Sequence, residues 1–268
     1  VISFTVDLED PTGVYAPDGR YIALTRRILD LCAATRRRAT FFTIGRVAEA
    51  CPELICEIAK RGHEVAYHSH NHVSLTDETP ECFMRETRTD KDRFEQLTGK
   101  PIIGFRAPRF SLTPDSLWAT DVLAELGFRY SSSIMPTGVS LYGFADAPTR
   151  PFRWANGLIE LPLPVVQVGP LRLPYLGGIY LYALPGFLPH YWVGKAGNDE
   201  ILWTYTHPYD LDREEKFAVM PDTAAWVSMI LWLARCRAEP KLRRILAGPA
   251  ALPLGERIDG LTSLETYS

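Results

Sequence analysis

The amino-acid sequence predicts an α/β fold with parallel strands joined by helical crossovers. Three observations lead there. Strand-like and helix-like segments alternate through the first half of the chain. The 268 residues, 46% hydrophobic and 23% charged, can bury a substantial core in one large domain. Unusual polar clusters fall at the C-terminal ends of the strand-like segments, where α/β barrels place their active sites.

The composition excludes disorder, collagen-like repeats and a small disulfide scaffold. A formal charge of −3 and a pI near 6.1 argue against a broad nucleic-acid surface, so no nucleic-acid partner is expected. The five cysteines (Cys32, Cys51, Cys56, Cys82 and Cys236) form no CxxC pair and read as buried thiols of a reducing compartment. Val1–Val6 reads as a strand rather than a leader, and no apolar run reaches membrane-spanning length. Together these features point to a cytoplasmic address.

Val1–Asp7 alternates with period two, as a strand does. Tyr21, Leu24, Ile28, Leu31 and Cys32 share one face of a helix over 21–38. Ala39–Ile44 is a short apolar strand, Pro52–Arg61 a helix closed by Gly62, and Glu64–His68 a third strand. Phe83, Thr87, Asp90, Phe94 and Leu97 fall at helical spacing up to Gly99. Ile102–Arg106 is a fourth strand, and Thr113-Pro114 opens another helix. Residues 134–193, rich in Pro, Gly and aromatics, predict loops with short strands. Their aromatic part, Pro170–Val193, covers the barrel, lines a substrate groove or makes a peripheral membrane contact. Glu200–Thr206 is a late strand. Pro221–Arg237 is a helix with Trp226, Met229, Ile230, Leu233 and Cys236 on its apolar face. Arg36-Arg37-Arg38 suits a solvated helix end. With no repeat or linker, 1–268 reads as a single domain, with C-terminal helices (221–247) packed on it.

Four clusters carry chemistry. In Asp7-Leu8-Glu9-Asp10, strand alternation projects Asp7 and Glu9 together, and two such carboxylates are tolerated where a cation sits between them or one titrates. In His68-Ser69-His70-Asn71-His72, a helical turn after His68 would bring His68 and His72 to one face, a spacing that suits two imidazoles on one metal ion, with His70 pointing elsewhere. Arg106, at a strand end before Ala107-Pro108, could fix a carboxylate by a two-pronged hydrogen bond. His207, in Thr206-His207-Pro208-Tyr209-Asp210, could move a proton near neutral pH.

In this order and spacing the clusters resemble the polysaccharide deacetylase family (NodB homology, carbohydrate esterase family four), in an Asp-x-Glu arrangement, from residue 1 to about residue 212. The resemblance implies a distorted (β/α)7-type barrel and metal-dependent removal of acyl groups from amino sugars. It implies Asp7 as catalytic base, His68 and His72 as metal ligands, Arg106 as the group orienting Asp7, and His207 as general acid. Many members carry a metal-binding aspartate where Leu8 stands here, and the alternation of the strand selects Glu9 instead, with Asp10 as fallback. Many also carry an aspartate supporting the acid histidine where this chain has Tyr130-Ser131-Ser132-Ser133, so Asp210 or Asp212 is the candidate substitute.

The expected cofactor is a divalent cation, zinc first. The expected partner is an acetylated amino-sugar substrate from a cell-wall, capsule or O-antigen precursor. Three rivals remain at this point: a deformylase or deacylase of a lipid-linked sugar at a membrane surface, a glycan-binding protein without turnover, and a scaffold with a structural zinc.

Overall fold

The computed structural model describes residues 1–268 apart from 139–142, 198–199, 220–223, 250 and 268. The strands are β1 (Ile2–Leu8), β2 (Thr40–Thr43), β3 (Glu64–Tyr67), β4 (Gly104–Phe105), β5 (Tyr130–Ser131), β6 (Phe152–Trp154), β7 (Ile159–Glu160), β8 (Val165–Val168), β9 (Leu171–Pro174), β10 (Leu202–Thr206) and β11 (Thr266–Tyr267). The helices are α1 (Arg20–Ala34), α2 (Gly45–Ala50), α3 (Pro52–Lys60), α4 (Pro80–Thr98), α5 (Trp118–Glu125), α6 (Gly178–Ala183), α7 (Phe187–Lys195), α8 (Ala225–Ala247) and α9 (Leu254–Arg257).

Nine strands form one sheet in the order β10-β1-β2-β3-β4-β5-β7-β6-β11. From β10 to β7 every neighbouring pair is parallel, and β6 turns back antiparallel to β7. These seven parallel strands, with helices between most of them, give the barrel-like α/β architecture expected from the sequence. Strands β8 and β9 form a separate hairpin.

Strand alternation sorts the core into two layers. Phe4, Val6, Leu8, Phe41, Val65, Tyr67 and Phe105 point outward and pack with apolar residues of the helices, among them Ile28, Leu54 and Phe94. Phe42, Ala66, Tyr130, Ile159, Leu161, Trp203 and Tyr205 point inward and form a second cluster with Leu254 and Ile258. Glu64 is buried beside these last residues. It accepts hydrogen bonds from Thr40 (2.6 Å), Tyr130 (2.9 Å) and the Gly255 N–H (3.0 Å), and burial pushes its carboxyl above the ordinary range. With the charge costly there and three donors present, α9 is fixed across the N-terminal end of the strands.

Several expected elements differ. The helix opened by Thr113-Pro114 begins as a single 3₁₀ turn, Pro114–Ser116, before α5. Residues 134–193 contain two helices, α6 and α7, besides short strands; the part at 139–142 lies outside the described residues. The expected helix 221–237 is described from Ala225 and continues through Pro240 to Ala247; residues 221–223 lie outside the described residues. Its expected apolar face is largely exposed, because the helix instead buries a face carrying Ala234, Ala238, Leu242 and Leu246 together with Arg235 and Glu239. Arg37 is not solvated. Its guanidinium is buried and donates to the carbonyls of Leu246 (2.9 Å) and Pro249 (2.5 Å), tying the end of α8 to the barrel. Of the cysteines, Cys32 and Cys51 are buried, Cys56 and Cys82 are half-buried and Cys236 is exposed; all five are free.

His63, just before β3, is a buried imidazole used structurally: Nδ1 accepts the Ala39 N–H at 3.0 Å, and the ring meets Phe41 edge-on at 5.2 Å. Burial, helped by Arg61 and Arg38, pushes its pKa down to about 4. The unfolded chain therefore binds more protons than the fold between about pH 6.5 and pH 4, so stability is full above that window and falls as pH drops through it. The loss is expected to reach about 3 kcal/mol. Urea unfolding at pH 7 and pH 4.5 should show a clearly smaller drop for His63→Asn, which keeps an acceptor and removes the titration.

Candidate active site

The C-terminal ends of β1, β3, β4 and β10 open into a cleft of about 550 Å³. It is lined by Asp7, Glu9, His68, His72 and His207, with aromatic walls that include Tyr15, Phe110, Tyr180, Tyr205 and Tyr209. All the expected site residues except Arg106 line it directly, and Arg106 lies buried behind Asp7.

Arg106 follows β4 and is fully buried. Its guanidinium lies 3.9 Å from the Phe42 ring centroid and 4.2 Å from that of Trp203, so two inward-facing aromatics sandwich it. Nη1 donates to Asp7 Oδ1 at 2.5 Å and to Thr5 Oγ1 at 2.8 Å. Nη2 and Nε donate to Ser132 Oγ (3.1 Å) and the Ser132 carbonyl (3.3 Å). The expected two-pronged grip on a carboxylate is not formed: one nitrogen meets Asp7, and the remaining donors are used on Thr5 and Ser132. The carbonyl of Arg106 meets Nδ1 of His68 at 2.7 Å, which directs His68 Nε2 toward Glu9, 3.7 Å from Oε2.

The histidine segment does not use a helical turn. Residues 68–72 are irregular, with Ser69 and His72 at positive φ (67° and 59°), and Ser69 Oγ accepts the His72 N–H at 3.0 Å. This tight loop still brings the His68 and His72 rings to 5.3 Å. His70 points away, and its Nδ1 meets Asp90 Oδ2 at 2.9 Å. Asp90 also accepts from Tyr67 at 3.1 Å, and a Cβ at Gly45 would lie 2.0 Å from its Oδ2, so α2 needs glycine there.

Glu9 is the hub of the cleft. His72 Nε2 lies 2.5 Å from Oε2, yet the contact lacks hydrogen-bond alignment and Oε2 is buried without a hydrogen-bond partner. Oε1 accepts from Tyr209 at 3.2 Å and lies 3.6 Å from His207 Nε2. Burial opposes its charge, but His72, then His68 and His207, hold the carboxyl well below the ordinary range. Ligand atoms of Glu9, His68 and His72 all lie within 4.8 Å of one another. An orphaned carboxylate oxygen among two imidazole nitrogens is a donor set that fits a divalent cation and leaves coordination positions open. Asp10 is not part of it: its carboxylate caps the next loop through the Thr12 N–H (2.9 Å).

His207 follows β10, and Asp210 holds it from a 3₁₀ turn, Pro208–Leu211. Oδ2 of Asp210 is 3.2 Å from His207 Nδ1 and accepts the His207 N–H at 2.8 Å. Asp212 does not reach the ring; it pairs with Arg20 at 2.5 Å. Burial works against a charged His207, but Asp210, then Glu9 and Asp7, outweigh it and raise the pKa to about 9. The ring stacks on Tyr209 at 4.6 Å. A Cβ at Gly177 would come within 1.9 Å of the Tyr205 ring, so that cleft wall requires glycine opposite it. Sequence reasoning gave no role to Tyr209, Thr5 or Ser132. Their signal was adjacency: each lies within two residues of a site residue or in a cluster already singled out.

Fold and site together define an α/β barrel-like protein with a carboxylate–imidazole cleft at the C-terminal ends of its parallel strands. Residues 14–131 match the model of the polysaccharide deacetylase family, and residues 132–250 match a domain of unknown function (DUF3473). It is 33% identical over 92 residues to a peptidoglycan-N-acetylglucosamine deacetylase of Bacillus cereus, covering 34% of this chain and 41% of that protein. It is 34% identical over 110 residues to a chitooligosaccharide deacetylase of Sinorhizobium fredii, covering 40% and 47%. The chain thus spans less than half the length of either relative. A crystal structure of a polysaccharide deacetylase described as putative, from Mycobacterium smegmatis, shares the fold with a TM-score of 0.55 at 18% identity, covering 100% of this chain and 94% of that one.

Two predictions follow from this geometry. Arg106→Ala leaves the Asp7 carboxylate buried and unpaired, so it should cost about 3–5 kcal/mol in denaturant unfolding. In chelator-treated protein, Asp210→Asn removes the carboxylate that favours the imidazolium and should lower the His207 titration by at least about one pH unit, followed by imidazole NMR.

Proposed function

We propose that this protein is a metal-dependent hydrolase that removes the N-acetyl, or another N-acyl, group from an amino sugar of a polysaccharide or its precursor. The observation that carries the reading is the pairing within one cleft: a carboxylate oriented by arginine (Asp7) and a histidine oriented by a carboxylate (His207), both beside the Glu9–His68–His72 cluster. The similarity to proteins named peptidoglycan and chitooligosaccharide deacetylases supports the substrate class.

Glu9, His68 and His72 would hold a divalent cation, zinc by preference, which would supply Lewis-acid polarisation of the acyl carbonyl and a water of lowered pKa. Asp7 Oδ2, left free by the single contact from Arg106, accepts a proton from the water that attacks the acyl carbon. The buried contact with Arg106 fixes this carboxylate in orientation. His207, its Nδ1 held by Asp210, gives the Nε2 proton to the amide nitrogen as the C–N bond breaks. The sugar then leaves as a neutral amine rather than an anion, and acetate is the other product. Tyr205, Tyr209 and Tyr180 offer ring faces and hydroxyls suited to a sugar.

A glycan-binding protein without turnover has no use for an oriented base and an oriented acid in one cleft. Asp210 also stands at His207, so the serines at 131–133 do not leave that histidine unsupported. A structural zinc would be closed by four protein ligands, whereas three converge here.

Release of acetate, and of formate from formylated analogues, should be measured on N-acetylglucosamine oligomers and peptidoglycan fragments. Asp7→Asn and His207→Ala are each expected to lower kcat by about 10²-fold or more. His68→Ala and His72→Ala should lose zinc by mass spectrometry after dialysis. Near-full turnover in either acid–base variant, or parental zinc affinity in the histidine variants, would overturn the reading.

A further inference from the structure

Helix α8 buries one face and leaves a second, apolar face open. Ala234, Ala238, Leu242 and Leu246 are buried in the core with Ser228, Arg235 and Glu239 beside them, while Trp226, Met229, Ile230 and Leu233 are 69%, 39%, 39% and 57% exposed. These four recur at i, i+3, i+4 and i+7, so they form one continuous stripe. Phe217 meets Trp232 of the same helix edge-on at 6.0 Å and is also exposed. Among the described residues nothing covers this stripe.

The polar residues explain why the helix sits this way. Arg235 lies over the Tyr209 ring at 5.7 Å and pairs with Glu215, and Glu239 pairs with Arg27 of α1. These contacts fix α8 against the turn that carries His207, and they point the apolar side outward.

The chemistry around the stripe identifies the occupant. Residues 225–238 contain no Asp or Glu, and the same helical face continues into Arg237 and Arg244, both exposed. Next to the C-terminal half of α8, α7 shows Phe187 (70% exposed) and Tyr191 (53%), with Lys195 Nζ 4.7 Å from the Tyr191 ring. Aromatic and aliphatic groups continued along the helix by bases match the anionic surface of a bilayer. The four side chains of the stripe alone, two of them 39% exposed, fall short of the roughly 800 Å² per partner of a standard protein complex. No described helix is long and apolar enough to cross a membrane, so a contact with the bilayer made here is interfacial.

We propose that the exposed face of α8, led by Trp226 and Leu233 and continued by Arg237, docks on the surface of a membrane rich in anionic phospholipid. Since α8 backs the His207 turn, docking there holds the cleft close to the bilayer. Helix α7, in the aromatic stretch 170–193, lies beside α8. This inference concerns where the protein sits and holds whether or not the cleft hydrolyses an amide.

The test is co-sedimentation with vesicles of phosphatidylglycerol and phosphatidylcholine, against vesicles of phosphatidylcholine alone. The parent chain should bind the anionic vesicles, and less so as salt rises from about 0.1 M to about 1 M. The double substitution Trp226→Ser with Leu233→Ser, and separately Arg237→Glu, should each weaken binding about tenfold or more. Circular dichroism and the urea midpoint should stay near parental values, because these side chains are exposed. No binding of the parent to anionic vesicles, or unchanged binding of both variants, would overturn the proposal. So would a parental dimer in sedimentation equilibrium that the serine variant converts to monomer, which would assign the stripe to a second copy.

Discussion

The buried guanidinium of Arg106 is the constraint around which the site is built. A charge at this depth is tolerated only where several groups meet it. Here those groups come from four strands or their ends: Asp7 and Thr5 on β1, Phe42 on β2, Ser132 after β5 and Trp203 on β10. Satisfying Arg106 therefore fixes the relative positions of the strands that deliver the cleft. Its backbone carbonyl also fixes the ring of His68, so one residue positions both the Asp7 carboxylate and one imidazole of the Glu9 cluster. Shifting β1 by one residue would swap its faces, removing Asp7 from the arginine and burying it in the outer apolar layer.

The cleft does not respect the boundaries of sequence similarity. The stretch matching the deacetylase family holds His68, His72 and Arg106, whereas Asp7 and Glu9 precede it and His207, Tyr209 and Asp210 lie in the region of unknown function. That region also contributes β6, β7 and β10 to the same sheet, and β10 pairs with β1 over five residues. Parallel pairing of the first and last strands of the cleft is what sets Glu9 and His207 within 3.6 Å of each other. The second region is thus part of the barrel and of its cleft rather than an appendage.

Much of this was legible in the sequence where a local period decides the outcome. The alternation of β1 alone puts Asp7 on the inner face with Thr5 and opposite Val6 and Leu8, and the crossover pattern gives the parallel sheet. What was not legible depends on contacts distant in sequence. The His68–His72 approach needs left-handed conformations at Ser69 and His72, which no helical template includes and which the fold imposes through Ser69. Arg37 is buried because the carbonyls of Leu246 and Pro249 arrive from the other end of the chain. Choosing Asp210 over Asp212 required the 3₁₀ turn, which returns the carboxylate at i+3 to its own histidine and leaves the one at i+5 to Arg20.

Helix α8 shows the same limit from the opposite side. Periodicity reports that a helix has an apolar face; it does not report which face the rest of the chain will cover. The covered face carries Ala234, Ala238, Leu242 and Leu246 into the core, and charge pairs with it. Arg27, Glu215 and the Tyr209 ring draw in Glu239 and Arg235, and each pairing removes an ion from solvent only because a partner waits for it. Reversing the helix to bury Trp226 and Leu233 would take Ala238, Leu242 and Leu246 out of the core and break these pairings. The exposed stripe therefore follows from the face that Leu242 and Leu246 bury and from the contacts of Arg235 and Glu239 on it, of which Arg235 over Tyr209 also braces the His207 turn.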